Sequence, residues 1–214
     1  MGKGDYTSRG PHWVFWGVEI GAPEKLWAFM GWDCVEDHEK FAKTLAPEAV
    51  KDLPSVLSHG EFTKHFDLEG SGKLVYKSPV TELILAYFRS DLPLEQKSAA
   101  TALVEGFVVK GLRETPGVEG TGFGWGLEDD FPVLDGDKDQ KGCVLVALVG
   151  WSSVEACVEA RKSKLPEESL GLTQEVVGVI ALKSVLLRCR NISKGGDGEH
   201  GRRPAYRTSA TFDE

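Results

Sequence analysis

Histidine, tyrosine and tryptophan stand inside apolar runs of this chain, where they could move a proton near neutral pH or hold a flat anion. His59, in "VLSHGEF", reads as a mid-strand residue pointing either inward or toward covering helices. An imidazole titrates near neutrality, so it suits a general base acting on a phenol or an activated methylene. The alternative is a hydrogen-bonded structural histidine. His38 lies three residues before Phe41, between Asp37 and Glu39, and reads either as a second base or as a solvated helix residue. Tyr87, in "LILAYF", would donate a hydrogen bond to an enolate or pack at a strand end. Trp16 and Trp125 open the matching segments "WGVE" and "WGLE". Facing each other they would stack a flat ligand, although aromatics on a strand face are ordinarily core. Glu19 and Glu128 recur with them and read as solvated strand ends.

Other patterns carry no chemistry. "GTGFGWG" has the wrong spacing for a dinucleotide fingerprint and no P-loop lysine, and it leads into a hairpin. In "DGDKDQ" from Asp135, Gln140 stands where a calcium loop needs glycine and Val146 where it needs the bidentate glutamate, leaving a solvated turn. Cys34, Cys143, Cys157 and Cys189 lack CxxC spacing and sit in apolar segments, so they read as reduced core residues. Neither a metal nor an organic cofactor is expected.

The elements that must position these residues follow from composition and periodicity. The 214 residues are 41% hydrophobic, enough for a sizeable core, and the formal charge of −8 gives no footprint for phosphate backbones, so nucleic acid is rejected as a partner. No apolar run approaches the ~20 residues of a bilayer span, and "MGKGDYTSRGPHW" lacks a signal-peptide centre. A cytoplasmic protein without membrane contact is expected.

"HWVFWGVEI" predicts a strand, "GAPEK" a turn, and Leu26 to Trp32 a second strand closing a hairpin. A helix follows in "DCVEDHEKFAKTL", with Asp33 as N-cap and Glu36 as its capping-box partner, then a strand in "PSVLSHGEFTKHF" and a linker in "DLEGSGKLVYKSP". Val80 to Phe88 is the strongest strand by propensity, and "LEQKSAATALVEGFVVKGLRE" predicts a helix of about twenty residues. "GVEGTGFGWGLE" and "KGCVLVALVGW" predict a hairpin, "SSVEACVEARKS" a serine-capped helix and "TQEVVGVIALKSVLLRCR" a last strand, giving β-α-β-β-α-β. Trp32 aligns with Trp151, Val35 with Val154, Glu36 with Glu155, and His38 with Cys157. One unit is therefore read twice.

The fold class expected is α+β: two ferredoxin-like repeats packed sheet to sheet as an intramolecular barrel. The first spans 12–78 and lacks a leading strand and helix before His12, the second spans 79–192, and 193–214, polar and glycine-rich, reads as a disordered tail. The incomplete first repeat implies an open β-edge and self-association.

"GWDCVEDHEKF", then "LSHGEF", then "SPVTELILAYF" resemble tandem, fungal-type members of the dimeric α+β barrel superfamily, which includes antibiotic-biosynthesis monooxygenases and stress-response A/B barrel proteins. The resemblance implies a small aromatic or polyketide-like ligand handled without cofactor, with His59, Tyr87 and His38 as catalytic candidates and Trp16 and Trp125 as ligand-stacking candidates. It leaves two functions open: a cofactor-independent monooxygenase or cyclase of secondary metabolism, or a non-catalytic stress-response or ligand-carrier barrel.

Overall fold

Runs that place aromatic and β-branched residues at alternate positions become strands in the computed structural model. It describes residues 10–49, 51–55, 57–70, 75–112, 114–162, 178–192 and 206–213. In order these form β1 (Trp13–Glu19), β2 (Ala22–Trp32), α1 (Val35–Thr44), β3 (Phe62–Gly70), β4 (Val80–Phe88) and α2 (Leu94–Glu105). Then come β5 (Val118–Gly126), β6 (Phe131–Pro132), β7 (Lys141–Trp151), α3 (Val154–Lys162), β8 (Val179–Ile192) and β9 (Tyr206–Asp213). From β4 onward the order is β-α-β-β-α-β, interrupted by the two-residue β6.

All ladders are antiparallel, in the order β4-β8-β1-β2-β9-β3-β5-β7-β6, and β4 also pairs with β7. The sheet therefore curls until its ends meet, and eight strands share one continuous ring of ladders. The β8–β1 and β3–β5 ladders stitch the two halves of the chain together.

Period-two alternation sends one set of side chains inside this ring and the other set under the helices. Trp13 and Phe15 of β1, Trp27 and Phe29 of β2, Leu83, Leu85 and Tyr87 of β4, and Val144, Val146 and Leu148 of β7 share the interior cluster. Between them Cys143, Leu145, Ala147, Val149 and Trp151 of β7 point outward beneath α2 and α3. That double coverage explains why ten consecutive β7 residues are buried. On β5 the pattern separates by size: Phe123 and Trp125 pack toward α2, while a side chain on Gly126 would strike the ring of Phe131.

Several details differ from the sequence expectation. The β1–β2 hairpin turns at Ile20 and Gly21, where Gly21 takes a φ of 102°, so β2 already starts at Ala22. Cys34, not Asp33, is the N-cap of α1, and no side chain caps that helix; Asp33 pairs with His12 at 3.1 Å instead. The serine cap of α3 holds, with Ser153 Oγ accepting the Ala156 N–H at 3.1 Å. The second helix ends as α2 at Glu105 and continues as a π-helical stretch, Gly106–Gly111.

The supposed linker carries a plug. Val75 and Tyr76 are buried, and the Tyr76 ring lies 5.7 Å from Trp13, 5.3 Å from Phe15 and 4.6 Å from Phe29, centroid to centroid. A void of about 10 Å³ lies between Phe29, Phe66, Leu68, Tyr76, Leu83, Val146 and Leu148, about the size that one water needs.

The tail is corrected in part. Tyr206–Asp213 forms a strand because both of its edges find partners: it pairs with β2 from Leu26 to Trp32 and with β3 from Phe62 to Leu68. Residues 193–205 lie outside the described residues. No helix among the described residues is long and apolar enough to cross a membrane.

Replacing Tyr76 by alanine leaves a hole that the ladders prevent from collapsing. Tyr76→Ala should lower stability by about 3–5 kcal/mol in equilibrium urea unfolding, the cost of emptying a large aromatic site. A loss under 1 kcal/mol would show that the plug is dispensable.

Candidate functional site

A hydrogen-bonded chain of three side chains crosses from the outer face of the sheet to α1. Its centre is His65 on β3, only 8% exposed. The Leu127 N–H donates to the His65 carbonyl at 2.8 Å, which brings the residue after it alongside β3. That residue is Glu128, whose Oε2 accepts the His65 backbone N–H at 3.0 Å and whose Oε1 lies 2.6 Å from His65 Nδ1. On the other side His65 Nε2 lies 2.7 Å from Nδ1 of His38. The Trp32 ring covers His38 at 5.2 Å between centroids and touches Phe41 at the same distance.

The donors and acceptors in this chain follow from the tautomer that each imidazole holds. Burial pushes the Glu128 carboxyl up, but the two bonds from His65 outweigh it and hold it below the usual range. The carboxylate only accepts, so His65 Nδ1 carries a proton. With His65 neutral, its Nε2 accepts and His38 Nδ1 must donate. The free lone pair of the chain then stands on His38 Nε2. Burial, reinforced by the neighbouring His65, keeps His38 below its ordinary value, against an opposing pull from Glu39 and Glu128. A neutral imidazole oriented by a carboxylate through a second imidazole is equipped for general-base catalysis.

The polar groups around Trp151, which ends β7, are arranged differently. Trp151 Nε1 donates to Glu82 Oε2 at 2.9 Å, and Arg161 Nη2 donates to Oε1 at 2.6 Å. Ser184 Oγ donates to Oε1 at 2.9 Å, and the Cys157 thiol reaches Oε2 at 3.7 Å. Burial, then Glu82, pushes the Cys157 thiol up to about 12, so it is inert. Glu82 is 5% exposed and both of its oxygens are engaged. Trp32, by contrast, has its indole nitrogen buried without a partner among the described residues. One seat is closed and satisfied. The other keeps an unused donor beside a base.

The residues expected from sequence are dispersed. His38 belongs to the relay. His59 is exposed in the loop before β3, beside Ser58 Oγ at 3.0 Å, because the strand begins only at Phe62; it is not the mid-strand residue expected. Tyr87 lies in the interior wall, where burial pushes its phenol well above the usual value and the Leu134 backbone only partly opposes this. Trp16 and Trp125 do not form a stacking pair. Trp16 points outward with the Arg190 guanidinium 5.6 Å from its ring. Trp125 lies under α2 and donates its N–H to Thr101 Oγ1 at 2.8 Å. Both occupy the strand face opposite to the interior, one residue away from Phe15 and from Gly126. Glu19 and Glu128 are not plain solvated ends, since Glu19 accepts the Trp27 indole N–H at 2.7 Å.

Sequence reasoning missed His65 and the role of Glu128. The available signal was the alternation in "FTKHF": Phe62 and Phe66 face inward, so His65 falls on the outer face, where a buried histidine needs a partner. Glu128 is 63 residues away and gave no local sign. Among the described residues no group of three or more histidine, cysteine or carboxylate side chains could hold a metal ion.

No protein-family model matches this chain, and no curated protein sequence matches it. Solved structures do. An anthrone oxidase-like protein superposes with a TM-score of 0.54 at 16% identity, over 92% of this chain and 85% of that one. A candidate monooxygenase of Lactobacillus acidophilus gives 0.50 at 13% identity, over 89% and 82%. At these identities the likeness is one of fold.

The relay should be visible in a pH titration. Because His38 titrates low when folded, the unfolded chain binds its proton first, and stability falls as pH drops below the ordinary histidine value of about 6.5. Glu128, also lowered, adds a further loss as pH falls below the ordinary carboxylate value of about 4.3 and through its own. His38→Gln keeps a donor for His65 and should flatten the first phase while leaving the second, as read from melting temperatures between pH 8 and 4. In NMR titrations Glu128→Gln should lower the His38 midpoint further, since the carboxylate favours the imidazolium.

Proposed function

We propose that this chain is a small-molecule barrel protein that acts as a cofactor-independent base on flat aromatic compounds, with His38 taking the proton. The observation that carries the reading is the Glu128–His65–His38 chain, which, with both imidazoles neutral and Glu128 ionised, leaves a free lone pair on His38 Nε2. Kinship of fold with an anthrone oxidase-like protein and a candidate monooxygenase supports an oxygenase or cyclase of the kind that secondary metabolism uses on polyketide-like aromatics. In the oxygenase form, an acidic ring methylene loses a proton to His38 and the carbanion adds dioxygen. The peroxide regains that proton; loss of the second proton on the same carbon then breaks the O–O bond, the distal oxygen leaving as water and the proximal one staying as the carbonyl. Carbon, oxygen and protons balance with dioxygen as the sole oxidant.

The same reading takes the barrel as two ferredoxin-like halves, 12–78 and 79–192, in tandem and in the cytoplasm. It moves the site expected inside the barrel to the outside, between α1 and the sheet. Trp32, adjoining His38, offers its unused N–H to the anion that forms. Tyr87 and the aromatic interior hold the scaffold.

A second reading rests on a separate observation: Tyr76 and its aromatic neighbours fill the interior. A barrel filled by its own side chains suits a non-catalytic stress-response or carrier protein whose ligand sits elsewhere.

Oxygen uptake separates the two. With anthrone and a panel of phenols, the wild type should consume dioxygen above the buffer rate, and His38→Ala should lose about 10²–10⁴-fold in kcat/KM while its far-ultraviolet dichroism stays unchanged. Glu128→Gln should shift the pH–rate profile without abolishing turnover. Binding of the panel with no uptake at any pH would leave only the carrier reading.

A further inference from the structure

β9 pairs with β2 on one side and with β3 on the other, so the edges that an incomplete first half would leave open are closed. Self-association through a bare edge then has no edge to use. A bare face remains, on the outside of β1 and β2.

Trp13, Phe15, Trp27 and Phe29 point into the barrel, so the residues between them point out. By register Val14 stands beside Met30, Trp16 beside Ala28 and Val18 beside Leu26. These six apolar residues form one patch across two adjacent strands, with Val18 exposed and the others half-buried. The three helices lie elsewhere: α1 against Trp32, α2 over Trp125 and α3 beside Glu82. Trp125, which opens "WGLE", gives its indole N–H to Thr101 of α2. Trp16, which opens the matching "WGVE", has the exposed Arg190 guanidinium 5.6 Å from its ring instead. A contiguous apolar patch with a polar rim marks a surface that binds something.

The rim identifies the occupant, because it carries opposite charges on opposite sides. On the β8 side Arg188 pairs in register with Val18 and Arg190 with Trp16, and both arginines are exposed. On the β2 side Lys25 lines a cavity with Trp27 toward the interior, which turns the exposed Glu24 outward, two residues before Leu26. A twofold axis running along β1 lays Trp16 of one copy on Trp16 of the other and sets β8 across β2. Heights along the strands are kept by that rotation. Arg188, level with Leu26 through Val18, therefore arrives about 6.6 Å along the strand from Glu24 of the facing copy, and the same pair forms a second time. The patch is thus complementary to itself in charge as well as in apolar character.

We infer that this face is where two copies of the chain associate, β1 against β1, with Arg188 of each copy meeting Glu24 of the other. The inference is independent of the base chemistry at His38.

Sedimentation of the full-length chain over a range of concentrations tests it. The wild type should show a monomer–dimer equilibrium. Arg188→Glu and Glu24→Arg should each weaken the dimer at least about tenfold, since like charges then face each other twice. An equimolar mixture of these two variants should dimerise again, because both contacts are restored in the mixed pair, and the double variant Arg188→Glu/Glu24→Arg should dimerise by itself. Trp16→Glu, which sets two carboxylates on the axis, should be monomeric with unchanged far-ultraviolet dichroism; both charge variants lie at exposed positions and keep the test intact if that protein does not fold. A wild type that stays monomeric up to its solubility limit would overturn the inference, and so would a dimer that the single charge variants leave unchanged. Loss in each single variant without recovery in the mixture would overturn the twofold arrangement.

Discussion

A closed ring of strands encloses a volume that must be filled, and that requirement orders most of this molecule. The inward positions of β1 and β2 answer it with Trp13, Phe15, Trp27 and Phe29, and the crossing between β3 and β4 answers it with Tyr76. These side chains pack against one another as one interior cluster. The hydrogen-bonded chain of Glu128, His65 and His38 is displaced to the other face of the sheet, against α1.

The outer face shows what the displacement permits. Two tryptophans end β2 and β7, and each sits beneath the helix that follows. Beside Trp151, the indole, Arg161 and Ser184 converge on Glu82, which fixes α3 to β4 and β8. Around Trp32 the helix has no buried residue of its own, and the bond from His38 to His65 is its polar tether to the sheet. The two tryptophans are thus backed by different polar groups: a carboxylate with every oxygen engaged beside Trp151, and a carboxylate–histidine–histidine chain beside Trp32.

The sequence made some of this readable and hid the rest for physical reasons. Val80 to Phe88 was legible to the residue, because a strand buried on both faces must be apolar almost throughout. The hairpin, the Gly-Trp ends and the serine cap of α3 were legible because each is a local event. Face assignment on β1 was not. The run "WVFW" is aromatic on both sides, so nothing in it says that Trp13 and Phe15 turn inward and Trp16 outward. His59 was misplaced because the apolar residues before it suggested a strand that starts only at Phe62. His65 and Glu128 meet through the β3–β5 ladder, a contact between distant segments that periodicity does not encode. β9 was hidden by its setting. Its main-chain pairing is satisfied from both sides, so it needs little of the hydrophobic signature by which strands are recognised.

The position of β9 in the chain also sets a clock on synthesis. A ribosome delivers the two strands that flank the gap long before the strand that fills it, with more than 130 residues emerging between Phe62–Gly70 and Tyr206–Asp213. Through that interval the nascent sheet holds two unsatisfied edges, and closure is the last event available to it. Such a chain meets its neighbours on a polysome, or a holding chaperone, while it is still an open sheet.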